Sequence, residues 1–461
     1  MKYLKWVGIA IGAVFALFIL SGIALYFALK PYLASDSFRQ LLESEVSKQL
    51  EVEVQFEPLQ WNGLSVFTNS LKTIGASKVS IKTLDAEQLR ISIALRPLLH
   101  HVARIDSIEM QSLEMEFQVP EPQPETPSTP EKATPTPPPG WIQSIAPTKV
   151  EIGEINIQQG KLRWPSGENT SGQLSQFKVQ ASVDGDDFNL WVREGKLELP
   201  QFPELQLQTL KGRAHQKTIF ITTALLQYEK QGTFTVDGEL GFNAPNTAHL
   251  NFELNNIPIT PFLPGDWKAR LIGNINGKFK LEQGEQTNGL PQVTGNIEMT
   301  QGKIEALPVF NEIAKQTGVE KWKSLPLDVA KSKLSWNPQK TTLDQMEFES
   351  KKYLIFKGDI QIEGENISGN TIIGTTPDLL KPFPTVLDQV FNQPLGEYAT
   401  ATDVISGTIH DIKDDLRDRV IAAALSDLLQ KLPPGVGEKI QNITNEIQKK
   451  VPGLFDLLKG K

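Results

Sequence analysis

Two short motifs in this chain carry residue types that could bind phosphate or a divalent cation. Gly273–Lys278 is similar to a phosphate-binding loop, in which backbone N–H groups and a lysine hold the phosphates. Its spacing is one residue short, and Phe279 stands where the hydroxyl that binds magnesium would be. Asp184–Asp187 offers carboxylates to calcium but lacks the remaining oxygen ligands of the usual loop. We therefore expect a hairpin at the first motif and a polar turn at the second.

Other residue sets that support catalysis are missing from the sequence. The chain has no cysteine, which excludes disulfides, thiolate zinc sites and a cysteine nucleophile. No Gly-x-Ser-x-Gly elbow and no His-Glu-x-x-His helix occurs. The five histidines are scattered, without helical i, i+4 spacing between any two: His100, His101, His215, His249 and His410. The sequence predicts that the protein is not an enzyme and uses no cofactor or metal.

Length and charge narrow the class of protein further. At 461 residues the chain is long enough for two or three domains. Its net charge is −8 and it has no basic cluster, which argues against nucleic acid as a partner.

The longest apolar run of the chain, Trp6–Leu29, is predicted to anchor the protein in a membrane. It contains no charged residue, and as a helix it would extend roughly 36 Å, enough to cross a hydrocarbon core of about 30 Å. A cleaved signal peptide is the alternative, but its apolar core is usually only about 7–15 residues long. The candidate anchor residues are Trp6, Phe15, Phe18 and Leu29.

The charges beside this run predict its orientation. Lys2, Lys5 and the free amine precede it, whereas Lys30 and Arg39 follow it. The positive-inside rule then places the N-terminus in the cytoplasm and the remaining chain outside the cytoplasm.

Residues 36–118 are predicted to form a small α+β unit. Phe38, Leu41, Leu42, Val46 and Leu50 recur at helical spacing after the N-cap candidates Ser35–Ser37. Alternating strands follow, including Ile105–Phe117, which we expect to turn near Gln111.

The segment Pro120–Gly140 has nine prolines and no aliphatic residue larger than alanine. Such a composition cannot bury a core, so we expect an extended linker or long loop. A Pro-rich docking motif is the less favoured alternative.

From Trp141 to about Gly374, short alternating runs separated by turn residues predict antiparallel β-strands. Short helices are expected at Leu307–Gly318 and at Pro377–Phe391. Two apolar stripes near the C-terminus, within 411–432 and 436–451, predict amphipathic helices. These helices either pack on the β body or bind a partner, with candidate partner residues Leu416, Val420, Leu428, Ile440, Ile443 and Ile447.

The predicted fold is mainly β with some α: a single transmembrane helix, an elongated or curved antiparallel β body and C-terminal amphipathic helices. The expected divisions are residues 1–30 for the tail and anchor, 31–119 for the α+β unit, 120–140 for the linker, 141–410 for the β body and 411–461 for the C-terminal helices.

Three segments resemble the AsmA-like family. The apolar run is followed directly by SDSFRQLLESEVSKQLEVEVQFEPLQWNGLS, which is similar to the helix and strand that follow the inner-membrane anchor in that family. Residues 293–364, VTGNIEMTQGKIEALPVFNEIAKQTGVEKWKSLPLDVAKSKLSWNPQKTTLDQMEFESKKYLIFKGDIQIEG, resemble its C-terminal region, which we place at about 290–410. Ser406–Ile409 looks like the closing strand of that region. The middle, about 150–270, matches only in β character, and the Pro-rich insert departs from the family pattern.

This resemblance implies an inner-membrane protein with its bulk in the periplasm. The family is linked to outer-membrane biogenesis, and its larger members look like bridge-type lipid transfer proteins with a hydrophobic groove. We therefore expect a non-enzymatic role in phospholipid handling or envelope assembly. The candidate lipid-facing residues are Phe234, Val236, Leu250, Phe252, Leu254, Phe279, Leu281, Phe356, Ile360 and Ile362.

The same alternation would also line a closed sandwich core, and the pattern by itself favours that core over a groove. The alternative function is therefore a periplasmic scaffold that binds another envelope protein through its C-terminal helices. A third and weaker alternative is an extracytoplasmic enzyme whose site residues are dispersed in the sequence.

Overall fold

The structure is a computed structural model that describes the following residues: 35–50, 52–63, 65–74, 81–94, 102–118, 149–165, 170–185, 187–200, 202–216, 218–241, 247–263, 265, 267–305, 314 and 320–430. The predicted anchor at 6–29, the Pro-rich segment at 120–140 and the second C-terminal stripe at 436–451 lie outside these residues. Within the described residues, every helix is too short or too polar to span a bilayer.

The prediction of a mainly β protein is confirmed, because strands dominate the described chain and helices are few. The chain divides into two compact units, residues 1–216 and 217–461. The domain boundaries expected from the sequence stay predictions.

The described residues of the first unit form one helix, α1 (Asp36–Leu50), and ten strands. The strands are β1 (Val54–Phe56), β2 (Gln60–Asn62), β3 (Ser65–Thr73), β4 (Ile81–Ala94), β5 (Val102–Phe117), β6 (Lys149–Pro165), β7 (Ser171–Asp184), β8 (Asp187–Arg193), β9 (Lys196–Glu198) and β10 (Leu205–His215). β3 pairs with β1, β2 and β4, and the ladder continues through β5, β6 and β7 to β8 and β9, which both pair with β10.

The strands on the two sides of the Pro-rich segment pair with each other in parallel. Val102 of β5 lies opposite Lys149 of β6, and Glu116 lies opposite Arg163. Parallel neighbours need a long crossover, because the chain must return to the level at which the first strand began. Residues 118–148 make this connection, so the sheet continues across the Pro-rich insert.

The core of the first unit lies between α1 and one face of its sheet. Leu42 and Val46 of α1 pack against a cluster that includes Val54, Val66 and Leu84. The helix predicted after Ser35–Ser37 is therefore present, and Leu42 and Val46 of its apolar stripe pack on the strands.

The described residues of the second unit form thirteen antiparallel strands. They are β11 (Thr218–Tyr228), β12 (Gly232–Gly241), β13 (Thr247–Pro258), β14 (Leu271–Gln283), β15 (Gln292–Glu305), β16 (Ser324–Leu327), β17 (Val329–Asn337), β18 (Lys340–Ser350), β19 (Leu354–Glu363), β20 (Asn366–Thr375), β21 (Gln393–Leu395), β22 (Tyr398–Thr408) and β23 (Asp411–Lys413). Successive long strands pair from β11 to β20, and β22 follows β20; β16 also pairs with β15, and β21 and β23 pair with β22.

Among the described residues, the helices of the second unit are short, apart from the last one. They are α2 (Trp267–Arg270), α3 (Pro377–Leu380), α4 (Pro384–Gln389) and α5 (Leu416–Gln430). The helix expected at Pro377–Phe391 is therefore two helices, because Pro384 starts a new one after the non-helical Phe383. Most of the helix predicted at Leu307–Gly318 lies outside the described residues.

Several strands contain a β-bulge, in which one strand has an extra residue relative to its neighbour. A polar residue with a left-handed backbone conformation lies at each of these bulges. Gln176, Asn256, Gln301 and Gln345 have φ of 58°, 56°, 53° and 51°. At each of them the pairing register shifts by one residue. Bulges bend a strand and increase its twist, so these residues curve the strands of each unit repeatedly.

Candidate functional site

One row of side chains crosses ten strands of the second unit and contains only apolar residues and glycine. Each member pairs directly with the next one across the ladder, so all of them lie on the same face of the sheet. We call it the central row: Ala224, Val236, Phe252, Phe279, Gly295, Leu334, Leu343, Ile360, Gly369 and Ile405. At a strand spacing of about 4.8 Å, nine intervals make it roughly 40 Å long.

The neighbouring rows of this face are apolar as well. On one side lie Leu226, Phe234, Leu254, Gly277 and Ile297, and on the other Gly238, Leu250, Leu281, Val293 and Trp336. We call this surface the apolar face. It contains all ten residues that the sequence singled out as lipid-facing, including Phe356 and Ile362 of β19.

The side chains of the central row remain partly accessible. Only Ala224 and Phe279 are buried, whereas Val236, Phe252, Leu343 and others in the row are half-buried. At the margin of the face, the indole of Trp336 is 37% exposed. Interdigitating layers in a sandwich bury such positions more completely.

Phe279 is buried because its ring lies flat on two glycines. A Cβ atom at Gly277 or at Gly295 would collide with this ring, and at Gly295 also with the carbonyl oxygen of Lys278. The ring thus takes the place of missing side chains and keeps this part of the apolar face smooth.

The opposite face of the same strands is charged. Lys278 pairs with Glu253 at 3.5 Å, and Glu347 lies 2.8 Å from Lys331 and 2.7 Å from Lys357. The two lysines lower the pKa of Glu347. In the strands of the central row, charged residues therefore lie mainly on the opposite face, as strand alternation allows.

Other elements cover the apolar face at one end. Val386 of α4 and Leu416 and Ala423 of α5 pack with Ala401 of β22 and Ile373 of β20. A second cluster joins Trp322, Leu325 and Ala314 to Leu354. Leu325 and Ala314 are fully buried there.

Two buried polar residues of the apolar face, Thr371 and Asp403, are linked to this cover. Asp403 is buried, and its Oδ1 accepts a hydrogen bond from the Leu416 N–H at 3.3 Å, at the start of α5. Thr371, also buried, donates to the Asp403 carbonyl oxygen at 3.4 Å. Burial raises the pKa of Asp403, and a hydrogen bond with Asp415 adds to the effect. The group caps a helix, so its role there is structural.

Leu416 and Val420, two of the predicted partner-binding residues, belong to this cover. Leu416 is buried and Val420 packs against the same cluster. Their side chains therefore contact the protein's own core. Leu428 lies within α5, while Ile440, Ile443 and Ile447 lie outside the described residues.

The first unit has a row of the same kind. Val66, Ile91, Ile108, Ile155, Ala181, Leu190 and Gly212 pair in succession from β3 to β10. A second such row runs through Leu84, Met115, Leu162, Leu174, Leu197 and Leu205.

The two candidate ligand motifs occupy ordinary structural positions. The prediction of a hairpin at Gly273–Lys278 was wrong, because the segment lies inside β14 and its glycines permit close packing on Met299 and Phe279. The predicted polar turn is confirmed: Gly185, with φ of 65°, connects β7 to β8. No group of three or more metal-ligating side chains occurs among the described residues.

Sequence reasoning missed several members of the central row, including Leu334, Leu343 and Ile405. Leu334 and Trp336 alternate with lysine and serine, which was a usable signal. Strict alternation did not identify Leu343, because the bulge at Gln345 places Leu343 and Met346 on one face although they are three residues apart.

Comparison with protein-family models, with curated proteins and with solved structures finds no match to this chain.

Proposed function

We propose that the apolar face of the second unit is the wall of an open groove that binds the acyl chains of phospholipid. The single observation that carries this proposal is the central row, which crosses ten strands without a charged or hydrogen-bonding side chain. Its half-buried side chains leave apolar surface for a ligand. Each CH₂ group buried there would contribute about 0.8 kcal/mol.

The apolar side chains of the central row suit a ligand that is long and apolar and that needs no specific hydrogen bonds. The members of the central row are all apolar residues or glycine, so the row itself could hold a chain but not orient a reacting group. The work proposed is therefore binding and transfer, in support of phospholipid handling or outer-membrane biogenesis, without catalysis.

The proposed setting is the periplasmic side of an inner membrane, as in the AsmA-like family that parts of the sequence resemble. Trp6–Leu29 would be the single-pass anchor with a cytoplasmic N-terminus. The anchor would keep the groove close to a source of lipid.

Mass spectrometry of organic extracts tests this proposal. The body from residue 31 to 461 is produced without its anchor, passed through gel filtration and extracted. Phospholipid at a fixed ratio to protein is the expected result. A stable, monodisperse body without lipid would contradict the groove and would favour the alternative scaffold, whose partner could then be identified by cross-linking.

A further inference from the structure

The two long edges of the sheet in the second unit differ in their connections. Because the strands are antiparallel, successive connections alternate between the edges. One edge, which we call the loop edge, carries the long connections 259–270, 306–323 and 376–397, together with 229–231 and 351–353. The other, the turn edge, carries the shorter connections 242–246, 284–291, 338–339, 364–365 and 409–410.

The connection between β13 and β14 presents an exposed tryptophan at the loop edge. Thr260–Phe262 forms one 3₁₀ turn and α2 follows it, and the two contact each other. A hydrogen bond of 3.0 Å from the Ile259 N–H to the Gly273 carbonyl oxygen closes the connection at its base. Trp267 in this connection is 46% exposed, although it is the first residue of a defined helix.

Exposed basic and apolar residues follow this tryptophan in the chain. Lys268 and Ala269 are exposed, and Ile272 at the start of β14 is 41% exposed. Exposed tryptophan beside lysine is typical of protein segments at a membrane–water interface, where the ring lies at the headgroup level and the ammonium group meets phosphate.

The two edges also differ in charge, and the loop edge is the more basic one. The described connections at the loop edge carry these charged residues: Lys230, Lys268, Arg270, Lys321, Lys323, Lys351, Lys352 and Lys381, with Glu229, Glu320, Asp378, Asp388 and Glu397. Those described at the turn edge carry Glu285 and Glu365 and no lysine or arginine. Although the chain as a whole is acidic, with a net charge of −8, the lysines and arginines in the described connections of this unit all lie at the loop edge.

We propose that the loop edge of the second unit contacts an anionic lipid bilayer through Trp267 and Lys268. This contact goes beyond lipid binding on the apolar face and does not depend on it. Basic residues near a surface are attracted by anionic headgroups, and the tryptophan adds apolar contact within the headgroup layer.

The absence of cysteine from the chain makes a direct test available. Ala269→Cys, in the full chain, is labelled with the environment-sensitive dye NBD, which leaves Trp267 and Lys268 in place. Gln339→Cys, an exposed position at the turn edge, is the matched control. Both proteins are reconstituted into vesicles of phosphatidylcholine alone or of equal parts phosphatidylcholine and phosphatidylglycerol, with and without a nitroxide-bearing phospholipid.

We expect the NBD emission at residue 269 to rise about twofold and to shift to the blue in the anionic vesicles, and the nitroxide lipid to quench it. Residue 339 should respond to neither. Adding Lys268→Glu or Trp267→Ser to the Ala269→Cys protein should remove most of the increase.

Equal responses at 269 and 339 would overturn the proposal. An NBD emission at residue 269 that shifts to the blue but is not quenched by the nitroxide lipid would overturn the proposal too. Such a label would be in contact with protein and not with the bilayer. Neither result concerns phospholipid on the apolar face, which the lipid extraction measures separately.

Discussion

Asp415 closes the exposed edge of β22 by accepting a hydrogen bond from the Val404 N–H at 2.8 Å. Arg419, one helical turn further along α5, donates to the carbonyl oxygen of Thr402 and lies 3.3 Å from Asp415. β20 pairs with one edge of β22, while β21 and β23 pair with the two ends of its other edge and leave the middle of that edge without a strand partner among the described residues. The two side chains therefore satisfy backbone groups that would otherwise invite another strand.

This edge contact predicts a specific loss of stability. Asp415→Ala should lower the free energy of unfolding by about 1–2 kcal/mol, since it leaves the Val404 N–H without its acceptor. Asp418→Ala, at an exposed position one turn into the same helix, is the matched control and should change it by less than about 0.5 kcal/mol. Urea unfolding followed by circular dichroism measures both. Equal effects of the two substitutions would mean that the edge contact contributes nothing.

The neighbouring carboxylates Asp403 and Asp415 should give opposite pH dependences. The Val404 N–H lowers the pKa of Asp415, so its ionised form stabilises the fold, and this contribution is lost as pH falls through the lowered pKa. Burial raises the pKa of Asp403, so its ionised form costs stability at neutral pH, and acidification through the raised pKa relieves that cost.

Asp403→Asn should therefore unfold at an equal or higher urea concentration than the wild type at pH 7. The amide oxygen can still accept from the Leu416 N–H, and the charge is gone. The difference should shrink as pH falls towards about 4. Asp411→Asn, at an exposed position, serves as the control. A variant that is much less stable at pH 7 would show that the ionised carboxylate is needed there.

The packing of Phe279 on glycine predicts that Gly295 cannot carry a side chain. Gly295→Ala should cost more than about 2 kcal/mol, because the added methyl group meets both the Phe279 ring and a backbone carbonyl oxygen. Thr294→Ala, next to it on the polar face, should cost less than about 1 kcal/mol. Thermal unfolding of the two variants distinguishes them, and comparable losses would argue against the tight contact.

Strand alternation was enough to predict a mainly β fold and to select ten residues that share one face. It failed where a bulge shifts the period. The turn expected near Gln111 was wrong, since β5 continues from Val102 to Phe117. Met110 and Leu113 of β5 lie opposite Ile157 and Gly160 of β6. Both strands therefore have the same three-residue interval here, and Met110 and Leu113 stay on one face of the sheet.

The direction of strands could not be predicted from alternation at all. A parallel and an antiparallel neighbour require the same alternating side chains, so nothing in β5 or β6 indicated their parallel pairing. The sequence also could not decide whether α4 and α5 would cover the sheet, for a related reason. An apolar stripe such as that of Leu416 and Val420 does not distinguish packing on the protein's own sheet from binding a partner.

A charge on the apolar face should remove lipid without unfolding the protein if the face lines a groove. Val236→Asp places a carboxylate at a half-buried position of the central row, where water can reach it in the lipid-free protein. Leu325→Asp buries a charge at a fully buried position and should cost more than about 3 kcal/mol. Lipid per protein and the unfolding midpoint are measured together. Unfolding by both substitutions would indicate a closed core.

The most direct test of the account places a photo-crosslinker on either face of one strand. Benzoylphenylalanine replaces Phe252 of the central row or its neighbour Asn251, which points to the polar face and pairs with Asp237. Cells expressing the full chain are grown with radioactive phosphate and irradiated. The account predicts a phosphate-labelled lipid adduct at 252 and none at 251. Equal labelling at both positions, or no labelled adduct at 252, would contradict it.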